Sequence, residues 1–392
     1  MEENLSEAGQ VPGHKLRALY GFWGRGGLGL ILTGNVMISP DAMTGPGGVV
    51  LQSGSDLKPF EAWANAAKQD GAQVWMQISH PGRQVFAAMG EQAVSASDVA
   101  IDLGGFSSMF GKPRALRANE IEALIQRFAE SAGLAEQAGF DGCQIHAAHG
   151  YLISQFLSPL TNLRTDEYGG SLANRARFLF SVVKAVRAKV GSEFCVSVKL
   201  NSADFQKGGF DKADASWVVE QLNSMGVDLI EISGGSYESP AMQGRTRDDA
   251  ASSSLRREAY FIDFAREISA VATVPIMVTG GIRSRSVAEA ALVRDEQGYG
   301  VSVLGIARAL AFQPELAKDW QNSQNLSLEI PTVEWKNKAV AGLANMALTK
   351  AQLDRMSEGK SPKTKMNAIW ALLRDQLLTR QRTKRYRRWR EH

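Results

Sequence analysis

The chain has 392 residues, 44% of them hydrophobic and 22% charged, a balance that buries a full globular core and excludes a disordered chain. Its two cysteines, Cys143 and Cys195, exclude a disulfide framework and the CxxC-type ligand sets of zinc and iron–sulfur sites. With no run near 18 apolar residues and an acidic, polar N-terminus, the expectation is a cytoplasmic protein without a membrane span.

The net charge of +3 is unevenly spread: residues 380–392 hold seven Lys/Arg and one Glu, which leaves −3 on the rest. Along that mildly acidic body, short β-branched apolar runs recur, each followed by a longer helical pattern, as in parallel βα units. The first run, LGLILTG (28–34), follows the helix-like HKLRALYGFWGRG. GRGGLG (24–29) looks like a dinucleotide fingerprint but precedes its strand. QVWMQIS (73–79) comes next, and the Gly/Ser-rich stretch 91–116 separates it from the amphipathic helix EIEALIQRFAESAGLAEQAG (120–139). Such an insertion on a barrel's active face caps the site or moves over it. DGCQIHA (141–147) precedes a helix over 174–190, and the remaining strands are EFCVSVKL (193–200), VDLIEISG (227–234), VPIMVTGG (274–281) and GVSVLGIA (300–307).

Seven such repeats, with the chemistry-bearing residues just after the strands, favour an α/β fold of the TIM (β/α)8-type barrel over an open Rossmann sheet. A barrel wants eight strands, and nothing before the first helix has room for one. Either the sheet stays open beside 28–34, or the chain as written starts inside its first strand. Residues 1–322 are read as the barrel. Residues 323–392 are read as a C-terminal helical extension packed outside it, ending in the basic tail. Arg385, Arg387, Arg388 and Arg390 with Tyr386 and Trp389 have the composition of a nucleic-acid or anionic-membrane patch. A solvated helix or frayed end is the expectation instead, so nucleic acid is not an expected partner.

TGGIRS (279–284) and LGIARAL (304–310) set Gly280, Gly281, Gly305 and Arg308 where two adjacent βα loops meet a helix start, a phosphate cradle of barrel type. Tight turns needing positive φ account for one Gly-Gly but poorly for two matched loops with a cation. Lys199 ends its strand and points into the barrel mouth, where either a bound anion or a salt bridge to a carboxylate such as Glu231 offsets the cost of burying it. Gln77 and His80 close QVWMQISH, where an amide can donate to and accept from one planar polar edge, as a pyrimidine-like ring requires. In HAAHGY, His146 and His149 lack the HExxH spacing and the further ligands of a zinc site, and no GxSxG elbow follows any strand. There remain two neutral ring N–H donors aimed at one oxygen, with the phenol of Tyr151 beside them: a site for polarising a carbonyl.

HAAHGYLISQFLSPLTNLRTDEYGGSLANRARF (146–178) resembles the Old Yellow Enzyme family of FMN-dependent NAD(P)H:flavin oxidoreductases and ene-reductases, and QISHPGRQ, VSVKLNSADF, TGGIRS and LGIARAL follow in family order. The resemblance covers Met1 to about Trp320. It implies FMN as bound cofactor, with Gln77 at the pyrimidine edge, Lys199 near N1 and the C2 carbonyl, and Gly280, Gly281, Gly305, Ala307 and Arg308 at the phosphate. It also implies that His146 and His149 anchor the carbonyl or other electron-withdrawing group of an enone-like substrate, and that Tyr151, with a phenol pKa of about 10, donates the proton. NADH or NADPH would reduce the flavin, and a conjugated alkene would then take the hydride. The family's first strand ends in a motif like APMT, of which Met1 and Glu2 look like the last residues, so the resemblance implies a chain as written that lacks that strand. Two other readings remain: a flavin-free phosphate-binding barrel lyase or isomerase, and a truncated non-catalytic homologue acting through its basic tail. A homo-oligomer is left open.

Overall fold

The computed structural model describes residues 2–235, 238, 262–280, 282–322 and 326–391. Its centre is one parallel sheet. In chain order the strands are β1 (Leu30–Leu32), β2 (Val36–Met37), β3 (Val49–Val50), β4 (Gln73–Ser79), β7 (Gly142–Ala147), β8 (Cys195–Asn201), β9 (Leu229–Ser233), β10 (Ile276–Thr279) and β11 (Val303–Gly305). The path β4–β7–β8–β9–β10–β11 runs in sequence order, with β1 and β2 both on the free side of β4. Among the described residues, no pairing joins β11 to β1. All seven predicted strands are present, most of them shorter than the apolar run, because hydrogen bonding ends where the chain turns into its loop.

β1 and β2 act as one broken strand. Leu32 stands opposite Trp75 and Val36 opposite Ile78, so residues 33–35 face only Met76 and Gln77. This is a β-bulge, three residues against two. Inside it the Gln77 N–H donates to the hydroxyl of Thr33.

Period-two alternation divides every strand into two faces. Val74, Met76, Ile78, Cys143, Ile145, Val196, Val198, Ile230, Ile232, Ile276 and Val278 belong to the main apolar core, with residues of the surrounding helices. The opposite positions form a separate small cluster, Trp75, Leu229 and Met277 with Leu30, Leu32, Cys195 and Val303 against it. That cluster plugs the N-terminal end of the barrel interior. Further along the same face the residues turn polar: Gln77, Gln144, His146, Ser197, Lys199, Asn201, Glu231, Ser233 and Thr279, all buried.

The helices α1 (His14–Gly24), α2 (Lys58–Ala67), α3 (Ala118–Gln137), α5 (Leu172–Lys189) and α6 (Lys212–Leu222) lie outside the sheet, with α4 (Leu152–Leu157) as a short helix after β7. α5 starts where Ser171 accepts from the Asn174 N–H and ends with Arg187 and Lys189 in its last turn, both favoured by the helix dipole. Its buried Phe178 meets Phe128 of α3 edge-on at 6.4 Å. The stretch 91–116 folds as β5 (Val94–Ser95) paired with β6 (Arg114–Ala115), with 3-10 turns between. It is tied down: Arg83 donates to the carbonyls of Val99 and Ala100, and Arg164 to those of Ala96 and Leu116.

After α7 (262–269), α8 (Arg285–Leu292), α9 (Arg308–Phe312) and α10 (Leu316–Gln321), the chain ends in two long helices, α11 (Lys338–Ser357) and α12 (Ala368–Arg390). α11 packs on α1 and α9 and contributes Leu353 and Met356 to the main core. The basic tail corrects the expectation of a frayed or fully solvated end. Tyr386 is fully buried among Met37, Met43, Val50 and Met89, with Trp389 against the same cluster. The Tyr386 hydroxyl donates to the Pro40 carbonyl, Arg385 to that of Ser6, and Arg390 pairs with Asp41 at 2.7 Å. The two aromatics that made the tail resemble a nucleic-acid patch are spent on this docking, which sets α12 against the loops beyond β2 and β4.

Glu91 belongs to that junction. Its Oε2 accepts from the Met43 N–H, while Oε1 is buried without a partner. Burial pushes the carboxyl up to about 7, against the pull of the Met43 N–H and of Arg390. A raised carboxyl pKa stabilises the fold in the protonated state, so this contribution is complete below the ordinary value of 4.5 and is lost as pH rises to about 7. Glu91→Gln is therefore expected to be more stable than the parent by about 1–3 kcal/mol above neutral pH, with a flatter profile between those values. Urea unfolding across the range checks it, and equal stability at alkaline pH counts against it.

Candidate active site

The polar half of the barrel interior is ordered by strand register. Gln77 stands beside Gln144 and Gln144 beside Ser197; one layer higher, His146 stands beside Lys199 and Lys199 beside Glu231. Side chains join the two layers. Gln77 Nε2 donates to Gln144 Oε1 at 2.7 Å, Gln144 Nε2 donates to Glu231 Oε2 at 2.8 Å, and Lys199 Nζ lies 2.7 Å from Glu231 Oε1. Of the two ways of holding Lys199 that the sequence left open, the structure contains the salt bridge. Burial pushes the Glu231 carboxyl up, but the Lys199 charge and the hydrogen bonds it accepts outweigh that and hold it below the usual carboxylate range. Gln77 Oε1 is left buried with no partner in the protein, an acceptor that an N–H donor would satisfy.

At the end of β7 the chain makes a sharp turn. His149 is held at φ +60, a left-handed conformation uncommon outside glycine. It is fixed on both sides: its N–H donates to Asn201 Oδ1 and its carbonyl accepts from Gln84 Nε2. The turn folds three rings together, with His146 and His149 edge-on at 5.1 Å and His146 and Tyr151 at 4.7 Å. Tyr151 then stands at the N-terminal boundary of α4, its side chain making no capping bond. Burial, then the His149 and Lys199 charges, hold His146 well below its usual pKa, and burial followed by Lys199 does the same for His149. Both rings are neutral near pH 7. The Ala148 N–H donates to His146 Nδ1, so in the neutral ring the proton sits on Nε2, which makes that atom a hydrogen-bond donor. His149 Nε2 lies 2.7 Å from the Ser233 hydroxyl.

His80 does not join Gln77. Its Nδ1 accepts from the Gly82 N–H two residues on, and burial lowers the ring to about 3. Gly280, Gly305, Ala307 and Arg308 lie at the ends of the neighbouring strands β10 and β11, where Thr279 and Gly305 are in register. Gly281 lies outside the described residues. A Cβ on Gly305 would fall 1.8 Å from Thr279 Oγ1, so close strand approach already demands glycine there.

Several of these groups escaped the sequence reading. Gln144, Asn201 and Ser233 each stand two residues from a residue that reading had named, so strand alternation alone could have found them. Asn35, whose Nδ2 donates to the Tyr151 hydroxyl at 3.3 Å, carried no signal.

The model of the NADH:flavin oxidoreductase / NADH oxidase family matches residues 5–327. The chain belongs to that family. It is 38% identical over 338 residues to the NADH-dependent flavin oxidoreductase iliE of Hypocrea jecorina, covering 81% of this chain and 82% of that protein. It is 30% identical to the NADPH dehydrogenase of Bacillus velezensis, covering 78% and 83%. Among solved structures, the old yellow enzyme homologue from Zymomonas mobilis superposes with a TM-score of 0.67 at 26% identity, over 83% of this chain and 87% of that one. A 2-naphthoyl-CoA reductase gives 0.72 at 26%, with this chain spanning 49% of its length. The family's cofactor is FMN and its hydride donor NADH or NADPH. The interior suits such a group: an orphaned amide oxygen at Gln77 and a mouth lined by neutral donors answer to a flavin ring edge, whose polar rim alternates N–H and carbonyl groups. Among the described residues, no helix is long and apolar enough to cross a membrane.

Proposed function

We propose that this chain reduces alkenes conjugated to a carbonyl or similar electron-withdrawing group, drawing on NAD(P)H. FMN, when bound, would supply the hydride chemistry between the nicotinamide and the alkene. Gln77 would hold the pyrimidine edge, Lys199 the neighbouring carbonyl side, and Gly280, Gly281, Gly305, Ala307 and Arg308 the phosphate. Lys199 would do so as half of a neutral pair with Glu231, which moderates its field.

The observation that carries the reading is the His146–His149–Tyr151 cluster. His146 offers a fixed Nε2–H, His149 lies beside it, and both rings are neutral, so they polarise a carbonyl without bringing a charge that substrate binding would have to desolvate. Tyr151 supplies the proton on the other side of the alkene.

An anaerobic single turnover tests this. Enzyme bleached with NADH is mixed with 2-cyclohexen-1-one, or with 2-cyclohexen-1-ol, which lacks the carbonyl. The enone is expected to restore the visible flavin absorbance with one equivalent of saturated ketone formed, and the alkenol to leave it bleached. Failure of the enone to react sinks the proposal.

A further inference from the structure

We propose that Asn35 is a positioning residue for the Tyr151 phenol, a role that rests on Tyr151 being the proton donor. The two residues are 116 apart in the chain and meet because of the bulge at 33–35. One extra residue against β4 turns the Asn35 side chain to the mouth, where it is 7% exposed.

The bulge is held from behind by a buried device. Glu3 Oε1 accepts from the Tyr20 hydroxyl at 2.6 Å and from the Gly34 N–H at 3.1 Å, and the Tyr20 oxygen also accepts from that N–H at 2.9 Å. A Cβ on Gly34 would fall 1.9 Å from Glu3 Oε2, so the Glu3 carboxylate lies directly against this backbone. Thr33 pins the other end, its N–H on the Trp75 carbonyl and its hydroxyl on the Gln77 N–H.

From this fixed point Asn35 Nδ2 donates to the phenol oxygen at 3.3 Å. A donor on one lone pair turns the O–H away from Asn35. The same donor stabilises the phenolate that remains once the proton has left, a hydrogen bond to a charged group being stronger than one to a neutral group. Asn35 Oδ1 is buried without a partner, which costs stability and is the kind of expense that packing alone would not retain.

The test combines the pH profile of the alkene half-reaction with a tyrosinate difference titration, each protein measured against its own Tyr151→Phe counterpart so that one phenol is isolated among seven tyrosines. Asn35→Ala is expected to slow alkene reduction about tenfold and to raise both the alkaline limb and the titration midpoint by about one pH unit. Asn35→Asp, which can only accept, is expected to raise them further. A slower rate with limb and midpoint unmoved reduces Asn35 to packing and overturns the proposal. If Tyr151→Phe itself leaves alkene reduction unchanged, the donor assignment fails first. If Tyr151→Phe is slow while the Asn35→Ala titration does not move, only the role of Asn35 fails. Asn35→Ser carries the same test if the alanine variant does not fold.

Discussion

Tyr151→Phe is expected to slow alkene reduction by roughly 10²- to 10⁴-fold while flavin reduction by NADH stays within a few-fold of the parent. On the proposed function the two half-reactions separate, because the phenol's proton would be needed only when the alkene accepts hydride, whereas the donor nicotinamide leaves without taking a proton from the enzyme. The substitution removes one oxygen and keeps the ring that packs at 4.7 Å on His146, so the proposed carbonyl anchor is left in place. Asn35 Nδ2 loses the acceptor it reaches at 3.3 Å, a stability cost of about 1 kcal/mol. Stopped-flow traces of each half-reaction decide the matter: equal losses in both would show that the hydroxyl positions the flavin or the nicotinamide, and the proton-donor role would fall.

The second large effect lies in the Lys199–Glu231 pair, whose side chains are 10% and 1% exposed. Lys199→Met or Glu231→Leu alone strands the other charge in the barrel interior, at about 3–5 kcal/mol. The double variant removes both charges and is expected to lose much less than the sum of the two. Urea unfolding of the four proteins gives the coupling. Additive losses would mean that the ion pair does not act as a unit. Because the Glu231 carboxyl is held below its ordinary range, its contribution is present above the ordinary carboxylate pKa and disappears as pH falls through its lowered value. The sign is opposite to that at Glu91, so the two residues pull the stability profile in different directions on the acid side of neutrality.

Strand positions, the two long helices before and after β7, and the His146–His149–Tyr151 cluster were legible from the sequence because each depends on neighbours within a few residues. Period-two alternation places Gln77 and Lys199 on the inner face wherever their strands end up. The HAAHGY run supplies all three rings within six residues, and Asn201 and Gln84 fix the turn that brings them together. Three features depended instead on contacts between distant segments. Arg385, Tyr386 and Arg390 read as solvated until the loops at Ser6, Pro40 and Asp41 are brought beneath them. Lys199 had two plausible counter-charges until the register of β8 on β9 set Glu231 at its side. Asn35 looked like any loop amide until a bulge of one residue, braced by Glu3 and Tyr20, aimed it at a phenol 116 residues away. The sequence by itself determined which residues have the chemistry and which face of each strand they occupy, since these follow from side-chain type and backbone period. Only the tertiary structure decided their partners, since strand register, a bulge and helix docking are settled by packing across the whole barrel.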